Sequence, residues 1–316
     1  MTDAKAILCV GRLYCDLIFT GLPRLPTMGT EVYAAGTGLH AGGGAYITAA
    51  HLSALGNRAA LCATLPVPPF RDIVVRDLEN AGVDAHLCTD SDPTEDPQIT
   101  VALAGRSDRA FVTRRVGPAF PPLSVQHIHD LGARHIHIGE LATLTGRPEL
   151  IDLARRAGVT LSLDCGWDED LDITRIGDLI SDVDVFLPNE AEMEMLTRAG
   201  VHRSVAPLTV IKQGKSGALA IRGTERIHEG AKVVEAIDTT GAGDAFNAGF
   251  LSSWLSGHDL RNCLRSGHRR GHLAVSQRGG FRAPPQPPGP GAQDADKADA
   301  GQERQIGTAR APSSNH

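Results

Sequence analysis

Residues 236–250 read Ala-Ile-Asp-Thr-Thr-Gly-Ala-Gly-Asp-Ala-Phe-Asn-Ala-Gly-Phe, and the rest of the chain is organised around them. Asp238, Thr239 and Thr240 close a short polar segment. Gly241, Ala242 and Gly243 let the backbone take positive φ and approach a ligand closely, and Asp244 opens an apolar helical run through Phe246, Phe250 and Trp254. The unpaired N–H groups of a helix's first turn point outward at its positive dipole end, so this turn can hold a phosphoryl group as charge builds on it. A carboxylate at Asp244 then stands where a base is needed. It can accept the proton of an attacking hydroxyl, and the neighbouring anion raises its pKa toward useful basicity. The competing reading is a glycine turn with an aspartate N-cap. A cap, however, does not need two Asp residues flanking Thr-Thr-Gly-Ala-Gly.

The string Asp238-Thr239-Thr240-Gly241-Ala242-Gly243-Asp244 resembles, residue for residue, the C-terminal signature of the ribokinase-like (PfkB) carbohydrate kinases. The resemblance implies an α/β fold: a three-layer α/β/α sandwich around a mostly parallel central sheet, with a small β lid. It implies that Gly241, Ala242 and Gly243 form the anion hole and that Asp244 is the catalytic base. It also implies ATP as phosphoryl donor, Mg2+, and in several relatives a monovalent cation such as K+ behind the turn, here at Asp238 and Thr239.

A chain of 316 residues with 41% hydrophobic content can bury a large α/β core. A net charge of -6 without a basic run gives no support to nucleic-acid or membrane-surface binding. The six cysteines are scattered with no Cys-x-x-Cys pair, which reads as reduced thiols in a cytoplasmic protein and suggests no zinc site. The N-terminus leads directly into an apolar strand, and no long apolar run follows, so a soluble, untargeted protein is expected.

In chain order, residues 6–11 (Ala-Ile-Leu-Cys-Val-Gly) form a continuous apolar run, as expected of a central strand buried on both faces. Asp16 follows, where ligands gather beyond strand ends, and a carboxylate there can bind a sugar hydroxyl or be a plain turn residue. The resemblance assigns it to the sugar. Residues 17–38, with Pro23, Pro26 and Gly29, suit a small hairpin, and together with 98–116 they would form the lid, a candidate homodimer surface. Ala41-Gly42-Gly43-Gly44 feeds an Ala-rich helix ending at Gly56 and resembles the family's N-terminal signature, with Gly42 and Gly43 on the sugar. That signature's Asn is Ile47 here, so one polar sugar contact is missing. Tyr14, Tyr33 and Tyr46 can stack on a ring or base, or pack in core or lid. Residues 71–82 read as a helix, with a strand from Val83. Residues 98–104 and 110–116 read as two strands joined at Gly105-Arg106-Ser107-Asp108. Arg114 and Arg115 at their end can meet an acidic sugar or stay solvated.

His127, His129, His135 and His137 raise a metal reading that lacks a third ligand type, and strand-end histidines are the alternative. Glu140 ends a strand where the resemblance places a sugar contact. Residues 161–164 form another buried strand ending at Asp164, followed by Cys165-Gly166-Trp167. Asn189 and Glu192 lie at i and i+3. Their oxygens can reach Mg2+ through its waters, as the family's Asn-x-x-Glu does, or make a capping box. Residues 208–219 resemble the nucleotide-side strand and turn, with Lys212 where the family commonly has Thr, then Gly214 and Gly217. Gly214-Lys215-Ser216 is not a Walker loop, because the glycine needed upstream is Thr209.

The resemblance implies that a helix over 264–275 covers the adenine, with His268 at the position where the family has Asn or His. Arg269 and Arg270 there can crowd the pocket or point outward. Residues 283–316, rich in Pro and Gly and then in Ala, Asp and Gln, cannot support a core and read as a disordered tail after a kinase domain over 1–282. The function expected is ATP-dependent phosphorylation of a hydroxymethyl group of a small sugar. Nucleoside and acidic-sugar (2-keto-3-deoxy acid) kinases are the rivals, and a catalytically weak sugar- or nucleotide-binding sensor is the alternative from another class.

Overall fold

The computed structural model describes residues 5–105, 109–166, 175–232, 234, 238–276 and 279–282. In chain order these form β1 (Ala6–Val10), β2 (Tyr14–Thr20), β3 (Gly36–Gly42), α1 (Gly44–Ala54), β4 (Ala59–Cys62), β5 (Thr64–Leu65), α2 (Phe70–Ala81), β6 (Thr89–Asp90), β7 (Ile99–Ala104), β8 (Arg109–Arg114), α3 (Val125–Asp130) and β9 (Ala133–Ile138). There follow α4 (Leu141–Gly146), α5 (Glu149–Ala157), β10 (Thr160–Asp164), α6 (Ile176–Ser181), β11 (Val185–Leu187), α7 (Glu190–Arg198), β12 (Leu208–Lys212), β13 (Ala218–Arg222), β14 (Glu225–Glu229), α8 (Ala242–Trp254) and α9 (Leu260–Val275).

The central sheet has the order β14-β13-β12-β11-β10-β9-β1-β4, parallel from β4 through β12 and antiparallel over β13 and β14. The composition of β1 shows why it sits inside. Leu8 and Val10 face one core layer with Ile136 and Ile138, while Ile7 and Cys9 face the other with Leu52 and Leu61. A strand covered by helices on both faces has no solvent side to make polar. Helices α3 to α7 supply the first layer, through residues such as Ile128, Leu144, Ile151, Ile180 and Leu196. Helices α1, α2, α8 and α9 supply the second, through Leu52, Leu78, Phe250 and Leu264. This is the three-layer α/β/α sandwich expected from the sequence. Among the described residues no helix is long and apolar enough to cross a membrane.

A second sheet, β3-β2-β7-β8, draws on both segments expected to form the lid. Its limits differ from the sequence reading. Asp16 lies within β2, not in a turn after β1, because β2 is paired along its length by β3 on one side and β7 on the other, which satisfies its backbone. Residues 21–35 carry no strand. Residues 106–108 of the expected turn, Trp167 and residues 283–316 lie outside the described residues.

Two further readings are corrected. Val83 starts no strand: Gly82 ends α2 in the left-handed region at φ 64°, and Asp84 makes only an isolated bridge to Ala60. His127 and His129 are helical, not strand residues, because Ser124 caps α3 in a capping box with His127. His135 and His137 do share one face of β9, but they turn onto the neighbouring strand: His135 meets Thr160 Oγ1 and Ser162 Oγ at 2.7 Å each, and His137 Nδ1 meets Ser162 Oγ at 2.9 Å. Burial keeps both rings neutral. No group of three or more His, Cys, Asp or Glu side chains placed to hold a metal occurs among the described residues.

Candidate active site

The 238–244 turn opens α8. Gly241 is the N-cap, at φ 70°, and a β-carbon there would lie 2.6 Å from Gly280 Cα, so both its dihedral and its neighbour require glycine. It offers no side chain to cap the helix. Ala242 N–H donates to Thr239 O at 3.3 Å, which leaves the amides of Gly243 and Asp244 without a protein acceptor among the described residues. Of the three amides of the expected Gly241–Gly243 set, the Ala242 N–H alone is bonded to a described residue. Asp238 braces the turn from behind: its carboxylate accepts from Thr240 N–H at 2.8 Å and from Gly279 N–H at 2.9 Å.

Asp244 lines a cavity of about 600 Å³ together with Gly243, Thr239, Lys212, Gly214, Asn189, Glu192, Asp164, Glu140 and Gly44. Burial pushes its carboxyl well above the usual range; Asp164, Glu192 and Glu140 act in the same direction and Lys212 opposes them. A β-carbon on Gly44 would lie 3.0 Å from Asp244 Oδ1, so the helix α1 start is in close contact with this carboxylate. Asn189 and Glu192 do make a capping box at the start of α7: Asn189 Oδ1 accepts from Glu192 N–H at 2.9 Å and Glu192 Oε2 from Asn189 N–H at 2.7 Å. Both still face the same cavity as Asp244. The two sequence readings of this pair are thus compatible.

Lys212 is tied into the structure more firmly than the sequence suggested. Its Nζ donates to Asp164 Oδ1 at 2.9 Å and to Asn247 Oδ1 at 3.1 Å, and Asn247 Nδ2 closes the ring on Asp164 Oδ2 at 2.6 Å. Burial pulls the ammonium pKa down, but Asp164, Glu192 and Asp244 hold it above its ordinary value. Asn247, fully buried one turn into α8, was not singled out in the sequence, although it sits three residues after Asp244 on a helix already assigned to the site.

On the opposite side of the cavity, Glu140 N-caps α4 and accepts from Arg12 N–H at 3.0 Å and from Thr143 Oγ1. Burial raises its pKa. Asp16 does not line this cavity. Its carboxylate presses on Gly42, where a β-carbon would come within 2.1 Å of Oδ2, and burial raises its pKa to about 7. Gly43 N-caps α1. Arg12, also missed, fastens the second sheet to the site: its guanidinium donates to Gln98 Oε1 at 2.9 Å, Val116 O at 3.1 Å and Gly117 O at 2.9 Å. Ile47 is core, packed on Gly280. Tyr46 is buried, and Tyr33 is 78% exposed and bonded to Glu31. Arg114 pairs with Asp96 at 2.9 Å.

A second cavity, of about 260 Å³, adjoins the first through shared Lys212, Gly214, Thr239 and Gly243, and its far wall is Phe246, His268 and Val275. Gly217 also lines it. His268 is fixed by Glu229 O at 3.0 Å and packs edge-on against Phe246. Arg269 and Arg270 do not crowd this cavity. Arg269 bonds Ser266 Oγ, and Arg270 turns to His51 Nδ1 at 2.8 Å, whose Nε2 meets Gly280 O at 3.0 Å.

The helix α8 N-terminus, the raised Asp244 carboxyl and the two adjoining cavities thus meet around Lys212, Thr239 and Gly243. Residues 4–287 match the model of the pfkB family carbohydrate kinases, and the chain belongs to that family. An ATP-dependent ribose-1-phosphate kinase of Halopiger xanaduensis is 28% identical over 297 residues, covering 88% of this chain and 94% of the relative. The 2-dehydro-3-deoxygluconokinase of Bacillus subtilis is 28% identical, over 65% of this chain and 71% of the relative. Among solved structures, a putative ribokinase II from E. coli in complex with ATP and Mg2+ superposes with a TM-score of 0.72 at 23% identity, covering 89% of this chain and 95% of that one.

Proposed function

We propose that this kinase transfers the γ-phosphoryl group of ATP to a hydroxymethyl group of a small sugar, with Asp244 as general base. The observation that carries the reading is the placement of the raised Asp244 carboxyl and the open Gly243 and Asp244 amides together on the larger cavity, at its junction with the cavity lined by His268. A base and anion donors at one point, reached from two sides, suit in-line transfer, in which the protein's work is positioning and charge stabilisation. The nucleotide would lie along Lys212, Gly214, Gly217 and His268, and the sugar against Glu140, with Asp16, Gly42 and Gly43 shaping its end of the site. Asn189 and Glu192 would hold Mg2+ through its waters, and the ion would neutralise phosphate charge. Asp238 and Thr239 would hold K+, in line with the anchoring of Asp238 behind the turn.

A sugar bearing an anionic group is the second reading. Arg115 supports it, since its charge bears on both Glu140 and Tyr14 at the sugar end, as do the activities by which the two relatives above are named. The burial of Tyr46 and the exposure of Tyr33 leave Tyr14 alone to support nucleoside stacking. The test is ADP release with Mg-ATP and K+ across furanoses, ketoses, nucleosides, ribose 1-phosphate and 2-keto-3-deoxy acids. Turnover confined to the phosphorylated or acidic members would establish the second reading, and turnover on neutral sugars would establish the first. ATP binding without turnover on any class would overturn both.

A further inference from the structure

Lys212 closes β12 with a side chain 12% exposed, beside an Asp164 side chain 10% exposed. A buried ion pair stabilises poorly unless its remaining donors and acceptors are met. Here Asp164 and Asn247 form a closed ring with the ammonium: two N–H bonds from Nζ are used, and Asn247 spends its amide group on Asp164 and its oxygen on Lys212. The third N–H of Nζ has no acceptor among the described residues. The ammonium stands beside the anion turn, since a β-carbon on Gly243 would lie 3.5 Å from Nζ. Lys212 also lines both cavities, the one walled by His268 and the one holding Asp244 and Glu140. It therefore sits on the boundary that a phosphoryl group crosses on its way from donor to acceptor.

We propose that Lys212 is a fixed internal cation that meets the phosphoryl group in transit, and that Asp164 and Asn247 are positioning residues that hold it there. This rests on the kinase reading and deepens it: Lys212, along which the nucleotide lies, acts chiefly in the transition state and adds little to ground-state nucleotide affinity. The ring fixes two of the three donors so that the third points to one place, and a preorganised donor needs no reorganisation as charge moves onto the equatorial oxygens. Asn247 comes from the same helix whose N-terminus supplies the Gly243 and Asp244 amides, so the ammonium and the amides are set by one rigid element. No covalent change at Lys212 is involved; it stays protonated throughout.

The test compares Lys212→Met and Asn247→Leu with the wild type. For Lys212→Met, kcat should fall roughly 10²- to 10³-fold, the size seen on removing one preorganised donor, while ADP affinity changes less than about 3-fold. Asn247→Leu keeps the charge but frees it, and should show a smaller kcat loss with sugar KM unchanged. The extra affinity that fluoroaluminate gives ADP, as a mimic of the transferring group, should be lost in Lys212→Met. That readout needs no sugar, so it stands even where the sugar is unknown. Should Lys212→Met fail to fold, the double variant Asp164→Asn/Lys212→Gln replaces the ion pair by an amide pair and should show the same losses. Wild-type kcat in either variant, an equal loss of ADP affinity and kcat, or no fluoroaluminate enhancement in the wild type would overturn the proposal.

Discussion

Substitution of Gly42 by Ala tests whether Asp16 positions the sugar. Gly42 ends β3 directly opposite Tyr14 of β2, and its φ is not positive, so alanine fits the backbone. The added methyl would nevertheless fall 2.1 Å from Asp16 Oδ2, 2.2 Å from Cγ and 2.3 Å from Oδ1. To restore ordinary contact at 3.4 Å the carboxylate must retreat by about 1.3 Å. A misplacement of about 1 Å in a positioning group costs on the order of 10²-fold in rate. The expected result is a fall in kcat/KM for the sugar of roughly 10²-fold, with ATP affinity within about 3-fold of wild type. The assay is coupled ADP release at varied sugar, with calorimetry for ATP. Gly146→Ala serves as control, because nothing lies within 4 Å of its β-carbon position and its φ is not positive. A Gly42→Ala protein with wild-type kcat/KM would refute the role given to Asp16, and an equal loss of ATP affinity would show that the change spreads beyond the sugar end.

Two pH predictions follow from buried groups. The Asp16 pKa is raised from 3.8 to about 7, so the folded chain keeps a proton there that the unfolded chain has released. Its stabilisation is full below the unfolded value and is lost as pH rises through about 7; melting temperature from about pH 4 to about pH 8 should fall less steeply in Asp16→Asn than in wild type, and parallel slopes would contradict this. The His51 pKa is lowered from 6.5 to about 4, mainly by burial, so its contribution is full above the unfolded value and is lost as pH falls through about 4. His51→Phe leaves Gly280 O and Arg270 Nε without that partner and should cost about 1–3 kcal/mol in urea unfolding at neutral pH.

The parts of the site carried by contiguous residues were legible in the sequence. The 238–244 string marks the start of α8, and the apolar runs at 6–10 and 161–164 become strands of the central sheet because such runs fit only a sheet covered on both faces. The Lys212–Asp164–Asn247 ring was not legible, since its members are 35 to 83 residues apart and meet only when β10, β12 and α8 pack together. Arg12 was missed for the same reason: the partners of its guanidinium lie 86 to 105 residues away. The helical placement of His127 could have been read from Ser124 three residues before it, a cap signal overshadowed by the His-x-His pattern. That Asp16 lies within a strand was not legible, because nothing local reveals that β3 and β7 pair on either side of it.

The central claim is that Asp244 takes the proton of the attacking hydroxyl, and the most direct measurement is single-turnover phosphoryl transfer by Asp244→Asn beside wild type, with ATP affinity determined on both. Asparagine keeps the shape of the side chain but cannot accept that proton. The transfer rate should fall about 10²- to 10⁴-fold with ATP affinity nearly unchanged. Transfer by Asp244→Asn at the wild-type rate would contradict it.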